Sequence, residues 1–296
     1  MNSATPQWNT ERLDRMYNNR LLVPEHAAHF ARWADDSRKA RERLPCRLDI
    51  SYGASPGETL DIFPVGQGVG AGDAPVLVFI HGGYWRSLDK SDHSFLAPVF
   101  TNAGACVVML NYDLCPAVSI PQIAEQAAQA LAWTWRNISA HGGDRDRITV
   151  VGHSAGGHLA ALLLACDWQR QAPDLPPDLV KNALSISGLY DLEPIRHTTF
   201  LKELNLTREH VLQASPCLQP SPAHGRLYSV VGADESAEFL RQNRLIQEAW
   251  GAGAVPVCES LPGLNHFSVL EPLARPSHRL HQLALELLGL GESQAS

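Results

Sequence analysis

Eight short stretches of this chain are apolar or alternate apolar with polar positions, at 46–52, 58–63, 75–80, 105–110, 147–151, 183–186, 226–231 and 255–259. Several are continuous and β-branched, as strands buried on both faces are. Between most of them lie segments with apolar residues at helical spacing. One is near 92–102. Another starts at Pro121 and places Ile123, Ala127, Ala130, Leu131 and Ile138 on one face. A third, 157–165, is apolar on most sides. Strands alternating with helices predict an α/β fold, with a mostly parallel sheet of about eight strands flanked by helices. Residues 10–43 carry Leu13, Met16, Tyr17, His26, His29, Phe30 and Trp33 at helical spacing among many charges, which predicts an N-terminal helical extension. Residues 188–222 hold short, Pro-punctuated segments between two strands and are expected to cap a pocket. There are no internal repeats, and the whole chain, 1–296, reads as one domain.

Where the strand 147–151 meets the apolar helix, the chain reads Gly152-His153-Ser154-Ala155-Gly156. Strand, sharp turn, helix is the setting of a nucleophile elbow. It would hold Ser154 with its hydroxyl clear of the sheet. Gly152 and Gly156 are expected where a Cβ would collide with neighbouring backbone. The strand 75–80 ends in His81-Gly82-Gly83-Tyr84-Trp85. When a serine attacks a carbonyl, the oxygen gains negative charge, and fixed backbone N–H groups stabilise it by about 3–4 kcal/mol per donor. The expected donors are the N–H groups of Gly83, Tyr84 and Ala155. Gly82, Tyr84 and Trp85 are expected to contact substrate.

A serine nucleophile needs a base, and the base needs an orienting acid. His266, on the loop after the last strand, is the expected base. The expected acid is Asp234, at the C-terminal end of the strand 226–231. Asp191 is a competitor and Glu235 a third choice. The other histidines beside these motifs have structural expectations. His153 and His158 should point into the sheet and helix layers, and His81 should brace the oxyanion loop.

Composition removes several function classes. The formal net charge is −7 with no basic stripe, so neither nucleic acid nor an anionic membrane is an expected partner. No stretch approaches the roughly 18 uninterrupted apolar residues of a membrane span. The first eight residues lack a basic and an apolar region, which argues against secretion. The six cysteines are scattered without C-x-x-C spacing, as expected of small buried hydrophobes in a reducing cytosol. The glycine-rich segment 65–72 opens no helix, so it is no phosphate cradle.

The motifs His81-Gly82-Gly83-Tyr84-Trp85, Gly152-His153-Ser154-Ala155-Gly156-Gly157-His158 and Asn265-His266-Phe267 together resemble the α/β-hydrolase type of kynurenine formamidase (arylformamidase). Tyr17-Asn18-Asn19-Arg20 and Ser187-Gly188-Leu189-Tyr190-Asp191-Leu192 are similar to the same family, and the resemblance spans roughly residues 10–290. The nearest neighbouring group is the hormone-sensitive-lipase-like esterases. The resemblance implies the α/β-hydrolase fold and a serine hydrolase using Ser154, His266 and an acid, expected in the cytoplasm from the N-terminus and the cysteine pattern. It also implies a small aromatic substrate, N-formylkynurenine, cleaved to kynurenine and formate in tryptophan breakdown. No cofactor and no metal are expected, since no His-rich cluster is present, and a homodimer stays open. The alternatives are a carboxylesterase or amidase acting on other small aryl esters, amides or carbamates, a non-catalytic binding protein on a hydrolase fold, and a thioesterase.

Overall fold

In the computed structural model, which describes residues 9–65 and 73–291, eight strands form one sheet. They are β1 (Arg47–Ser51), β2 (Thr59–Phe63), β3 (Ala74–Ile80), β4 (Cys106–Leu110), β5 (Gly143–His153), β6 (Val180–Ile186), β7 (Leu227–Gly232) and β8 (Val257–Leu261). Their order across the sheet is β1-β2-β4-β3-β5-β6-β7-β8. β2 runs antiparallel to both neighbours, and β3 to β8 are mutually parallel.

The helices are α1 (Thr10–Tyr17), α2 (Asn19–Leu22), α3 (His26–Arg43), α4 (Ala97–Asn102), α5 (Ile120–Asn137), α6 (Ala155–Leu164), α7 (Trp168–Gln171), α8 (Glu193–Arg196), α9 (Arg208–Ala214), α10 (Ala237–Trp250) and α11 (Arg279–Leu288). They divide the core into two layers, and β3 shows why its sequence is continuous rather than alternating. Val76, Val78 and Ile80 pack with Ile123, Ala127 and Leu131 of α5 and Leu159 of α6. Leu77 and Phe79, pointing the other way, pack with Phe100 of α4 and Leu283 and Leu287 of α11.

All eight expected strands are present, with boundaries shifted by up to four residues. β5 begins at Gly143 because its first residues pair with the start of β3 through Ala74. The helix expected near 92–102 is α4, preceded by two 3₁₀ turns at Lys90–Asp92 and Ser94–Leu96. α5 opens with a capping box, in which Ser119 and Gln122 exchange side-chain to backbone hydrogen bonds, and with Pro121 in the first turn. The segment 188–222 holds α8, α9 and two 3₁₀ turns. The six cysteines are free. Among the described residues no helix is long and apolar enough to cross a membrane. Of the sequence readings, the one on the first eight residues and most of that on 65–72 lie outside the described residues.

Candidate active site

β5 ends at His153, and the chain turns at once into α6. The turn residue Ser154 has φ 56° and ψ −116°, a sparsely populated conformation for a non-glycine residue. Close packing imposes it. A Cβ on Gly152 would lie 2.1 Å from the carbonyl oxygen of Gly156, and one on Gly156 would lie 2.0 Å from that of Ile80. The Ser154 N–H donates to the Ile186 carbonyl of β6 at 2.8 Å, which ties the elbow to the next strand.

His266 lies on the loop after β8, and its imidazole is almost fully buried. Nε2 stands 3.0 Å from Ser154 Oγ, and Nδ1 stands 2.6 Å from Glu235 Oε2. A carboxylate only accepts, so Nδ1 carries the proton and Nε2 is left to accept the serine's O–H. Local turns hold the loop. Asn265 Oδ1 accepts the N–H groups of Phe267 (3.0 Å) and Ser268 (2.9 Å), while Ser268 Oγ accepts that of Asn265. His153 Nε2 donates to the His266 carbonyl at 2.8 Å.

The carboxylate on His266 is therefore Glu235, and the expected acid Asp234 is not part of the contact. After Gly232 ends β7 the chain makes a tight turn, with Glu235 N–H donating to the Gly232 carbonyl and Asp234 N–H to the Leu264 carbonyl. The turn leaves Asp234 exposed and directs Glu235 inward, one residue later, on a side chain one methylene longer. Glu235 Oε1 accepts from Ser187 Oγ and, at 2.8 Å, from the Gly232 N–H. Both oxygens of this fully buried carboxylate are thus hydrogen-bonded. Ser187, which sequence reasoning missed, is itself held at φ 53°. Asp191 points elsewhere, toward Arg241.

The loop after β3 packs over the elbow. Gly83 (φ 104°), Tyr84 (51°) and Trp85 (55°) are all left-handed, a costly run for the two aromatic residues. A Cβ on Gly83 would lie 2.0 Å from the Ser87 carbonyl oxygen. Among the described residues the N–H groups of Gly83 and Tyr84 have no hydrogen-bond partner. Ala155 opens α6, where backbone N–H groups are free by construction. His81 braces the loop from below. Its Nδ1 lies 2.8 Å from the Gly82 carbonyl, its Nε2 3.0 Å from Asn111 Oδ1, and its ring stacks on Tyr112.

Two of the expected substrate contacts fall away. Gly82 lies under the loop, where a Cβ would be 2.8 Å from the His153 carbonyl oxygen, and it does not line the pocket. Trp85 is fully buried in the main core. The left-handed turn drives its indole inward, where Nε1 donates to His158 Nδ1 at 3.3 Å. His158 Nε2 in turn donates to the Ala214 carbonyl at 2.6 Å. His153 and His158 both point inward, as expected. Burial pushes His158 down to about 4. Burial, and then the neighbouring His266, hold His153 well below the usual histidine range.

Ser154 and His266 open into a pocket lined by Gly83, Tyr84, Leu88, Phe267 and, from the segment 188–222, Phe200 alone. Most of its remaining wall comes from the N-terminal extension: Asn18, Asn19 and Arg20 around the start of α2, and Phe30 and Trp33 of α3. The segment expected to cap the pocket is thus a minor contributor to its lining. Tyr84 joins the two halves, since its ring lines the pocket and its O–H donates to the Tyr17 carbonyl. Tyr17 is buried, donating its own O–H to Glu238 Oε2 at 3.0 Å and accepting from Gln242 Nε2. No group of three or more metal-ligating side chains occurs among the described residues.

Comparison with known proteins agrees with this fold. The model of a family of α/β-hydrolase fold matches residues 77–238, a span that includes Ser154 and Glu235. Kynurenine formamidase of Danio rerio is 31% identical over 268 residues, covering 88% of each chain. Kynurenine formamidase of Salmo salar is 30% identical over 270 residues, again covering 88% of each. The crystal structure of a candidate thioesterase from Silicibacter sp. tm1040 superposes with a TM-score of 0.80 at 31% identity, over 90% of this chain and 97% of that one. This protein is a hydrolase, and the chain belongs to the α/β-hydrolase-type kynurenine formamidase family.

Proposed function

We propose that the protein hydrolyses an aryl formamide, N-formylkynurenine, to kynurenine and formate, as a step of tryptophan breakdown. The observation that carries this reading is the hydrogen-bonded series Ser154 Oγ, His266 and Glu235 opening into an aromatic pocket, in a chain whose relatives are kynurenine formamidases. Ser154 Oγ attacks the formyl carbon while His266 Nε2 takes its proton. Glu235 keeps the imidazole in the required tautomer and stabilises its charged form. The N–H groups of Gly83, Tyr84 and Ala155 receive the developing oxyanion. His266 then protonates the departing arylamine as the C–N bond breaks, leaving a formyl ester on Ser154. Water, deprotonated by His266, attacks that ester and releases formate. Tyr84, Phe30, Trp33, Phe200 and Phe267 offer ring faces to the arylamine.

The test is turnover of a panel by purified protein: N-formylkynurenine, formanilide, acetanilide, and aryl esters of acetate and butyrate. Preference for the two formamides supports the reading. Efficient butyrate ester hydrolysis with both formamides untouched would replace it with a carboxylesterase.

A further inference from the structure

The segment Tyr17-Asn18-Asn19-Arg20 plays no part in the bond-making steps, yet three of its residues line the same pocket as Ser154. Tyr17 is a buried anchor. Asn18 is occupied locally, since its side chain accepts from the Leu21 N–H and so starts α2. Asn19 is different. The residue is buried, 4% exposed, and its amide Nδ2 has no hydrogen-bond partner among the described residues. Its backbone carbonyl accepts the Val23 N–H. An unpaired buried donor is destabilising unless something accepts from it. Here it belongs to a residue that lines the pocket.

Arg20 supplies the second half. It is exposed and lines the same pocket. Its Nη2 donates to Ser87 Oγ at 3.3 Å, its guanidinium lies 5.7 Å from the Phe30 ring centroid, and among the described residues it has no carboxylate partner. The other cationic side chain of the lining, Arg86, is already neutralised by Glu203 and also donates to the Phe200 carbonyl. No Asp or Glu lines the pocket. In a chain of net charge −7, this wall holds one guanidinium without a carboxylate partner among the described residues, beside one unpaired amide donor. Ser87 Oγ also donates to the Gly83 carbonyl at 3.0 Å, so Arg20 stands two hydrogen bonds from the oxyanion loop.

The geometry points to a subsite in which Asn19 Nδ2 and the Arg20 guanidinium receive an anionic acceptor, a carboxylate, on the leaving-group half of the substrate. This rests on the hydrolase reading above and adds that the enzyme selects acidic leaving groups. A guanidinium and an amide N–H can each donate to one carboxylate while Phe30 flanks the pair.

The experiment compares N-formylkynurenine with its carboxylate methyl ester, two formamides that differ in one charge. A parallel pair, 4-acetoxyphenylacetate and its methyl ester, keeps the subsite testable if the formamides are not substrates. Asn19→Ala, Arg20→Ala and Arg20→Glu are measured beside the wild type. The wild type is expected to favour the acidic member of a pair. Each alanine variant should lower the acidic-to-neutral ratio of kcat/KM by about tenfold, mainly through KM, and Arg20→Glu should invert it. Arg20 is exposed, so its variants test the idea even if Asn19→Ala folds poorly. A ratio unmoved by the Arg20 variants, or equal losses on both members, overturns the subsite. Loss of formamide turnover in the wild type, with the ester pair still discriminated, would instead overturn the formamidase reading alone.

Discussion

His153 Nε2 donates to the backbone carbonyl of His266 at 2.8 Å, so the residue before the nucleophile fastens the loop that carries its partner base. The two rings lie 5.0 Å apart, and the His266 ring reaches Ser154 Oγ at 3.0 Å. This bond sets the height of His266 over Ser154 Oγ. Misplacement by about 1 Å can cost a factor near 100 in rate. His153→Ala is expected to lower kcat by about 10- to 100-fold with a smaller change in KM. Steady-state kinetics on a folded variant decide it, and native kcat would show that Asn265 and Ser268 hold the loop unaided.

The contact between Glu235 and His266 predicts an unequal pair of variants. Glu235→Gln keeps the shape but can present an N–H toward Nδ1 and favour the wrong tautomer, so kcat should fall about 10³- to 10⁴-fold. Asp234→Asn, at an exposed position, should stay within about threefold of wild type. If the two losses came in the reverse order, Asp234 would be the working acid.

Trp85 is expected to matter for stability rather than for acyl selection. Its indole is buried, and its backbone carbonyl accepts the Cys115 N–H at 2.7 Å. Trp85→Ala should cost about 3–5 kcal/mol in denaturant unfolding. The milder Trp85→Phe should leave the formyl-to-butyryl preference within about twofold. A large shift in that preference would return Trp85 to the pocket wall.

His158 gives a pH dependence with a definite sign. Both ring nitrogens are engaged in the neutral form, Nδ1 accepting from Trp85 and Nε2 donating to Ala214. Burial holds the group down at about 4, against about 6.5 in an unfolded chain. Above about pH 6.5 neither state binds the proton and His158 adds no pH dependence. As pH falls from 6.5 toward 4, only the unfolded chain takes up the proton, so stability declines. His158→Gln should flatten the decline by up to about 1.4 kcal/mol per pH unit in urea unfolding between pH 7 and 4.5. Parallel slopes for the two proteins would remove His158 as a contributor.

The sequence makes the sheet, the elbow and the base legible because each rests on local pattern. A strand buried on both faces must be apolar throughout, as 75–80 is, and an elbow needs Gly152 and Gly156 wherever it occurs. The acid was not legible. Asp234 and Glu235 are adjacent carboxylates, and which one faces His266 depends on two turn hydrogen bonds, to Gly232 and Leu264, that no periodicity reports. Trp85 misled for a related reason. Proximity to the oxyanion glycines suggests the pocket, but a left-handed backbone at Tyr84 and Trp85 sends one ring to the pocket and the other to the core. The pocket wall made by α2 and α3 was hidden because it is a long-range contact. Only the amphipathic spacing of Phe30 and Trp33 marked that these helices bury a face, not which face they cover.

The central claim is that Ser154 carries the formyl group through an ester intermediate. Its most direct test is kcat/KM for N-formylkynurenine with wild type and Ser154→Ala, each verified as folded by its thermal transition. The account predicts that Ser154→Ala loses at least about 10³-fold, leaving only the residual rate due to the oxyanion donors and binding. Turnover by Ser154→Ala within tenfold of wild type would contradict it.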